Sequence, residues 1–233
     1  MTAMLAELVA LVVPPRCAAC GGKGRHAADV VCASCRRGLP WLTARCCERC
    51  ALPLPCGRRC PAREAAFDRA WAAVAYEGVA RDAMHALKFA GARPLARVMA
   101  AQIAANTPPS LLTAAGTTLV AVPPHPRRRR ARGFDPAELI AAALARRTGL
   151  PLRRALCRGR APSHQLGASR DARRDPARLH FAARGPAPER VVLVDDVHTT
   201  GATLGACARA LREAGSRHVA AVTWARTLDD RLR

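Results

Sequence analysis

Nine of the 11 cysteines lie between Cys17 and Cys60, grouped as CAAC (Cys17, Cys20), CASC (Cys32, Cys35), CCERC (Cys46, Cys47, Cys50) and CGRRC (Cys56, Cys60). Two thiols separated by two residues can be aimed by one turn at a single tetrahedral ion, and two such turns close a four-cysteine zinc site. The first quartet is therefore Cys17, Cys20, Cys32 and Cys35. For the second, Cys47 and Cys50 repeat the two-residue gap and Cys56 and Cys60 complete it, with Cys46 open as a substitute for its neighbour. Gly21, Gly22 and Gly24 suit a tight knuckle in which backbone amides turn toward sulfur. The expected metal is structural Zn2+, one or two ions, because four thiolates leave no coordination position for water or substrate. Binding of this kind supplies roughly 10 to 16 kcal/mol, which a segment so poor in large apolar residues needs.

A reducing compartment keeps paired thiols available for metal, so a cytoplasmic setting is expected. The stretch Ala3 to Val13 reads as a short amphipathic helix rather than a signal peptide, since Glu7 interrupts it and no basic residue precedes it. No run of 18 apolar residues occurs, so no membrane span is expected. The net charge of +21 comes from 38 Lys+Arg against 17 Asp+Glu, and Lys23 and Lys88 are the only lysines. A surface of that sign attracts polyanions. The 3% aromatic content leaves few platforms for stacking single-stranded bases. Arg36, Arg37, Arg45 and Arg49 stand among the cysteines, which leaves open a ribbon that touches nucleic acid.

Prolines 53, 55 and 61 separate the ribbons from the remainder, giving an N-terminal helix and double ribbon over 1–62 and a second domain over 63–233. There the pattern alternates. Strands are expected at Ala70–Tyr76, Thr117–Val122, Pro151–Leu156, Val191–Val194 and His218–Trp224, and helices at Ala80–Phe89, Pro94–Ala105, Pro136–Arg147 and Ala202–Ala214. Arg158 to His180 is polar and basic, and reads as an irregular loop. Such alternation predicts an α/β fold with a parallel sheet flanked by helices on both faces.

The stretch VVLVDDVHTTGATL, Val191 to Leu204, carries the chemistry. Four branched apolar residues make a central strand buried on both faces, and Asp195 and Asp196 follow at its carboxyl end, where open parallel sheets bind ligands. Thr199, Thr200, Gly201, Ala202 and Thr203 then turn into a helix, so that free amides and hydroxyls form a cradle for a phosphate. Carboxylates repel phosphate, so they must face sugar hydroxyls or Mg2+ instead. A ribose 5-phosphate unit meets both demands. His198 reads as a loop residue beside the cradle. Upstream, Pro123, Pro124 and Pro126 stiffen a turn, and the loop that follows, Arg127 to Arg130 with Arg132, can neutralise a pyrophosphate, although an arginine run is more often a solvated face.

The segment VLVDDVHTTGAT resembles the phosphoribosyl pyrophosphate loop of type I phosphoribosyltransferases, and the chain as a whole is similar to the ComF family of competence-associated proteins. The likeness extends over LKFAG (Leu87 to Gly91), VAVPPHPRRRRARGFD (Val120 to Asp135), Gln165 to Arg173 and the closing AGSRHVAAVTWAR. It implies a type I phosphoribosyltransferase-like domain in which Asp195 and Asp196 contact the ribose hydroxyls and act in catalysis, while the following turn holds the 5′-phosphate. It further implies contacts to pyrophosphate or substrate from Lys88, Pro124, Arg132, Gly133, Gln165 and Arg173, the last two on a segment that closes over the ligand. Here the family's RGFNQ reads RGFDP, and Arg174, Asp175 and Pro176 replace an asparagine after the arginine. Purine-salvage relatives carry a carboxylate where Thr199 stands, which turns the expectation away from purine salvage.

The resulting expectation is a protein that binds phosphoribosyl pyrophosphate or a nucleotide with Mg2+, with possible phosphoribosyltransferase activity, and that works on or beside single-stranded DNA with a competence helicase or other DNA-processing proteins. Two alternatives stand beside it: a non-catalytic nucleic-acid adaptor that keeps the fold, and a sensor of nucleotide supply.

Overall fold

A computed structural model describes residues 15–24, 29–42, 45–56, 60–159 and 180–228. The helix expected at Ala3–Val13, together with Gln165 and Arg173, lies outside the described residues.

The two cysteine clusters are built on one repeated turn. In the first, the Cys17 amide donates to Gly22 O (2.7 Å) and the Gly21 amide to Cys17 O (2.8 Å); in the second, Cys47 donates to Leu52 O (2.8 Å) and Ala51 to Cys47 O (2.8 Å). Gly21 and Ala51 occupy equivalent left-handed positions, with φ of 70° and 57°. Helix α1 (Ala33–Arg37) starts from Cys32, whose sulfur caps it by accepting from the Cys35 amide.

After the ribbons come β1 (Arg69–Ala75), α2 (Gly78–Phe89), α3 (Leu95–Asn106), α4 (Pro109–Leu112), β2 (Thr117–Ala121), α5 (Pro126–Arg132) and α6 (Pro136–Thr148). The described chain closes with β3 (Leu156–Arg158), β4 (Phe181–Ala183), β5 (Arg190–His198), α7 (Ala202–Glu213) and β6 (His218–Arg226). The main sheet has the order β1-β6-β5-β2 and every pair in it is parallel. Strand alternation sorts two cores onto its faces. Val192, Val194, Leu119 and Trp224 join α2, α3, α6 and the first ribbon on one side. Val191, Leu193, Val120 and Val219 join α7 and the second ribbon on the other. The fold is therefore a zinc-ribbon domain preceding an α/β domain with a helix-flanked parallel sheet.

The ribbons straddle the β1 edge. Trp41 bridges Val74, Leu42 donates to Ala73 O (3.0 Å) and Ala75 donates to Pro40 O (2.8 Å). At the opposite edge Leu152 makes only a single parallel bridge to Leu119. The strand expected over Pro151–Leu156 thus shrinks to one bridge held by two backbone bonds, from Leu119 N to Pro151 O (2.8 Å) and from Arg153 N to Leu119 O (2.9 Å); Pro151 has no amide to extend it. Leu156 instead opens β3, which pairs antiparallel with β4 in a separate two-stranded sheet. The arginine run also departs from expectation. It forms α5 rather than a loop, since Pro126 fits the first turn and Gly133 closes the helix in the left-handed region at φ 73°.

Candidate functional site

The crevice opens where β2 stops pairing with β5. Ala121 and Val194 are the last partners, and beyond them β5 continues to His198 alongside β6 alone, with Asp195 opposite Thr223 and His198 opposite Arg226. The acids therefore sit inside the strand rather than after it. Because successive strand residues face opposite sides, Asp196 turns toward the α2 and α6 face and Asp195 toward the α7 face. Both still border one cleft of about 240 Å³.

On its side Asp196 receives Lys88 from the end of α2, with Nζ 2.7 Å from Oδ2. Asp135, the cap of α6, accepts the Glu138 amide at 2.9 Å. Burial, and next the Asp196 charge, lift the Asp135 carboxyl to about 6. Asp195 accepts the amide of Asp196 at 2.8 Å. Burial raises its carboxyl well above the ordinary range and the neighbouring Asp196 charge adds to this, while Lys88 opposes them. Three carboxyls thus border the cleft, and Lys88 pairs directly with Asp196.

The same cleft carries cations. Arg128, Arg132 and His125 come from α5 and its approach, and Arg158 from β3. Arg158 lies over the Phe181 ring at 4.8 Å, and its buried Nε has no partner among the described residues. Slight desolvation of an exposed ring, then the charges of Arg158, Arg128 and Arg127, hold the His125 imidazole below its usual value. A cleft lined by both carboxylates and guanidinium groups is matched to a ligand bearing both hydroxyls or a cation and phosphate.

Of the residues singled out in the sequence, Lys88, Pro124, Arg132, Asp195, Asp196, Thr199 and Thr203 line this cleft. Gly133 borders the neighbouring cavity instead. Thr200 turns back to accept the Ala202 amide at 3.3 Å. Gly201 has φ 81°, and a Cβ there would stand 2.8 Å from His198 Nε2, so the turn requires glycine for conformation and for space. His198 is not a loop residue: it ends β5 and is buried. Its imidazole is held down at about 3 by burial and next by Arg226.

Sequence reasoning passed over Arg158; Arg128 is solvent-exposed, as an arginine run suggests, and also borders the cleft. For Arg158 a signal existed: two residues after buried Leu156 in a strand, it shares that face. Next to the cleft is a larger cavity of about 640 Å³, bordered by Arg129, Arg130, Arg153, Arg154, Arg158 and Arg184.

In the ribbons, the sulfurs of Cys17, Cys20, Cys32 and Cys35 lie within 4.8 Å of one another, as do those of Cys47, Cys50, Cys56 and Cys60. The Cys20–Cys32 and Cys47–Cys60 separations of 3.9 and 3.8 Å match the edge of a zinc–thiolate tetrahedron, roughly 3.8 Å for Zn–S bonds of about 2.3 Å. The Cys32 amide also donates to Cys17 Sγ at 3.3 Å. These are two structural zinc sites. Cys46 stands outside the second, bridging Pro53 as Arg16 bridges Lys23 in the first. Arg49 is spent on the carbonyls of Ala62 and Ala65, each 3.1 Å away, and is not a free nucleic-acid contact.

Among the described residues no helix is long and apolar enough to cross a membrane. A protein-family model for the double zinc ribbon domain matches residues 8–63. A search of curated proteins found no match. Among solved structures, the chain is similar to an allosteric regulatory enzyme of purine biosynthesis at 20% identity and a TM-score of 0.37, over 57% of this chain and 26% of that one.

Proposed function

We propose that the protein is a ComF-like member of the type I phosphoribosyltransferase fold that binds phosphoribosyl pyrophosphate, or a nucleotide, with Mg2+. The observation that carries this is the meeting of Asp195, Asp196, Thr199 and Thr203 with Lys88, Arg128, Arg132 and Arg158 around one cleft. In this reading Asp195 and Asp196 hold the ribose hydroxyls and Mg2+, for which carboxylate oxygens are the matching hard donors. The turn from Thr199 to Thr203 holds the 5′-phosphate through its hydroxyls and the amides at the start of α7. Arg128, Arg132 and Arg158 neutralise the pyrophosphate. Lys88, seated on Asp196, balances the acids until a ligand arrives.

If the bound compound reacts, a nucleophile displaces pyrophosphate from the anomeric carbon, and the cleft contributes placement and charge stabilisation. Isothermal calorimetry with phosphoribosyl pyrophosphate and Mg2+ tests the binding. The Asp195→Asn, Asp196→Asn double variant should bind at least about tenfold more weakly, a loss of about 1.4 kcal/mol. Equal heats from both proteins would end the reading.

The cavity bordered by six arginines favours a second reading, a nucleic-acid adaptor in DNA uptake or processing that retains the fold without catalysis. Its partners would be single-stranded DNA and a helicase or other DNA-processing protein. Competition separates the two: if excess phosphoribosyl pyrophosphate leaves oligonucleotide binding intact and no pyrophosphate is released, the adaptor reading holds.

A further inference from the structure

Arg226 closes β6 and is completely enclosed, at 0% exposure. Arginine is seldom buried unless its donors are matched; here Nε and Nη1 are matched while the buried Nη2 has no partner among the described residues, and the matches join two distant parts of the chain. Its Nε donates to the carbonyl of Cys50 at 2.8 Å, inside the second cysteine cluster. Its Nη1 donates to the carbonyls of His198 and Thr227, each at 2.9 Å, and to that of Thr199. One planar guanidinium thus runs from a zinc-binding residue to the first residue of the threonine turn bordering the cleft.

Charge supports the same placement. A zinc ion held by four thiolates keeps a net charge of −2, and a buried cation beside it offsets part of that. A second contact runs parallel to the first: the His198 ring meets Phe67 edge-on at a centroid distance of 6.2 Å. Phe67 belongs to the apolar cluster that contains Cys50 and Leu52. On its other side His198 abuts Gly201, the pivot of the turn.

We infer that Arg226 is a positioning residue through which the second cysteine cluster sets the conformation of the Thr199–Thr203 turn, so that metal in that cluster and occupancy of the cleft are linked. Linkage of this kind is reciprocal: whatever the metal adds to ligand affinity, the ligand adds to metal affinity. The ligand half rests on the proposed phosphoribosyl pyrophosphate reading, whereas the conformational half does not.

Hydrogen exchange by mass spectrometry on the full-length zinc-loaded protein tests the conformational half. The turn is followed in a peptide covering residues 199–204, and a peptide covering 191–194 serves as the reference for global folding. Cys60→Ser, which opens the second cluster, and Arg226→Met should each speed exchange in the turn by about tenfold. Cys20→Ser, which opens the first cluster, should change it less than about twofold. The Cys60→Ser, Arg226→Met double variant should exchange no faster than either single one, because both interrupt the same connection. An unchanged turn in Cys60→Ser, or an equal effect from Cys20→Ser, overturns the inference. Where Arg226→Met also loosens the reference peptide, Arg226→Lys takes its place: it keeps the charge, loses the fork, and should still speed exchange in the turn.

Calorimetry with phosphoribosyl pyrophosphate and Mg2+ then separates this inference from the functional reading. Absence of binding to the wild type defeats the functional reading and leaves the exchange result standing. Binding that is equally tight in wild type and Cys60→Ser overturns the linkage alone.

Discussion

Adjacent acids in a strand cannot share a face, and this one fact shapes the cleft. Asp196 meets Lys88 on one side while Asp195 turns to the other, where it accepts the Asp196 amide, so the two carboxyls have different surroundings. Asp135 adds a third acid, raised to about 6 from 3.8 mainly by burial. An acid that holds its proton more tightly when folded loses stability as pH rises between the two values. The cost is absent below about pH 4 and complete above about pH 6. Asparagine at 135 would keep an oxygen for the Glu138 amide and carry no charge. Asp135→Asn should therefore match the wild type near pH 4 and exceed it by about 1–2 kcal/mol above pH 6. Thermal unfolding across that range decides it, and a gap independent of pH would refute it. Gly201→Ala is expected to act in the opposite direction. With φ at 81° and His198 Nε2 in the way, it should cost about 2 kcal/mol or more and weaken ligand binding. Denaturant unfolding together with calorimetry reads both effects.

Among the elements, the ribbons act as an edge cover as well as metal sites. The bridge from Trp41 to Val74 occupies hydrogen-bonding groups of β1 that would otherwise face solvent. A chain truncated to 63–233 should accordingly self-associate, and light scattering that finds it as monomeric as the full chain would contradict this cover role. Helix α5 shows how a run of arginines is shared out by helical phase. Arg128 and Arg132, four residues apart, reach the cleft, while Arg129 and Arg130 reach the larger cavity. Arg132 also lies over the Phe89 ring at 4.9 Å, which ties α5 to the end of α2 beside Lys88.

For the whole molecule, the charge of +21 predicts polyanion binding that salt disrupts. If about four phosphates of a single-stranded oligonucleotide are engaged, raising salt from about 50 to about 200 mM should weaken binding about 50-fold. Fluorescence anisotropy would measure this, and affinity indifferent to salt would exclude the arginines as the contact surface. The metal donors and the alternation of strands and helices were legible in the chain because both depend on spacing along it: the two-residue gap of each CxxC pair, the period of β5, the proline and glycine at the ends of α6. That Asp195, Asp196, Thr199 and Thr203 would meet at one place was expected for the same reason, since they leave one strand within nine residues. What the tertiary structure alone decided is every relation between residues far apart in sequence. These are the seating of Lys88 on Asp196, the packing that buries His198, and the reach of Arg226 across 176 positions to Cys50. Local spacing orients a side chain relative to its own element, but its partner is set by packing of elements that meet only when the sheet assembles.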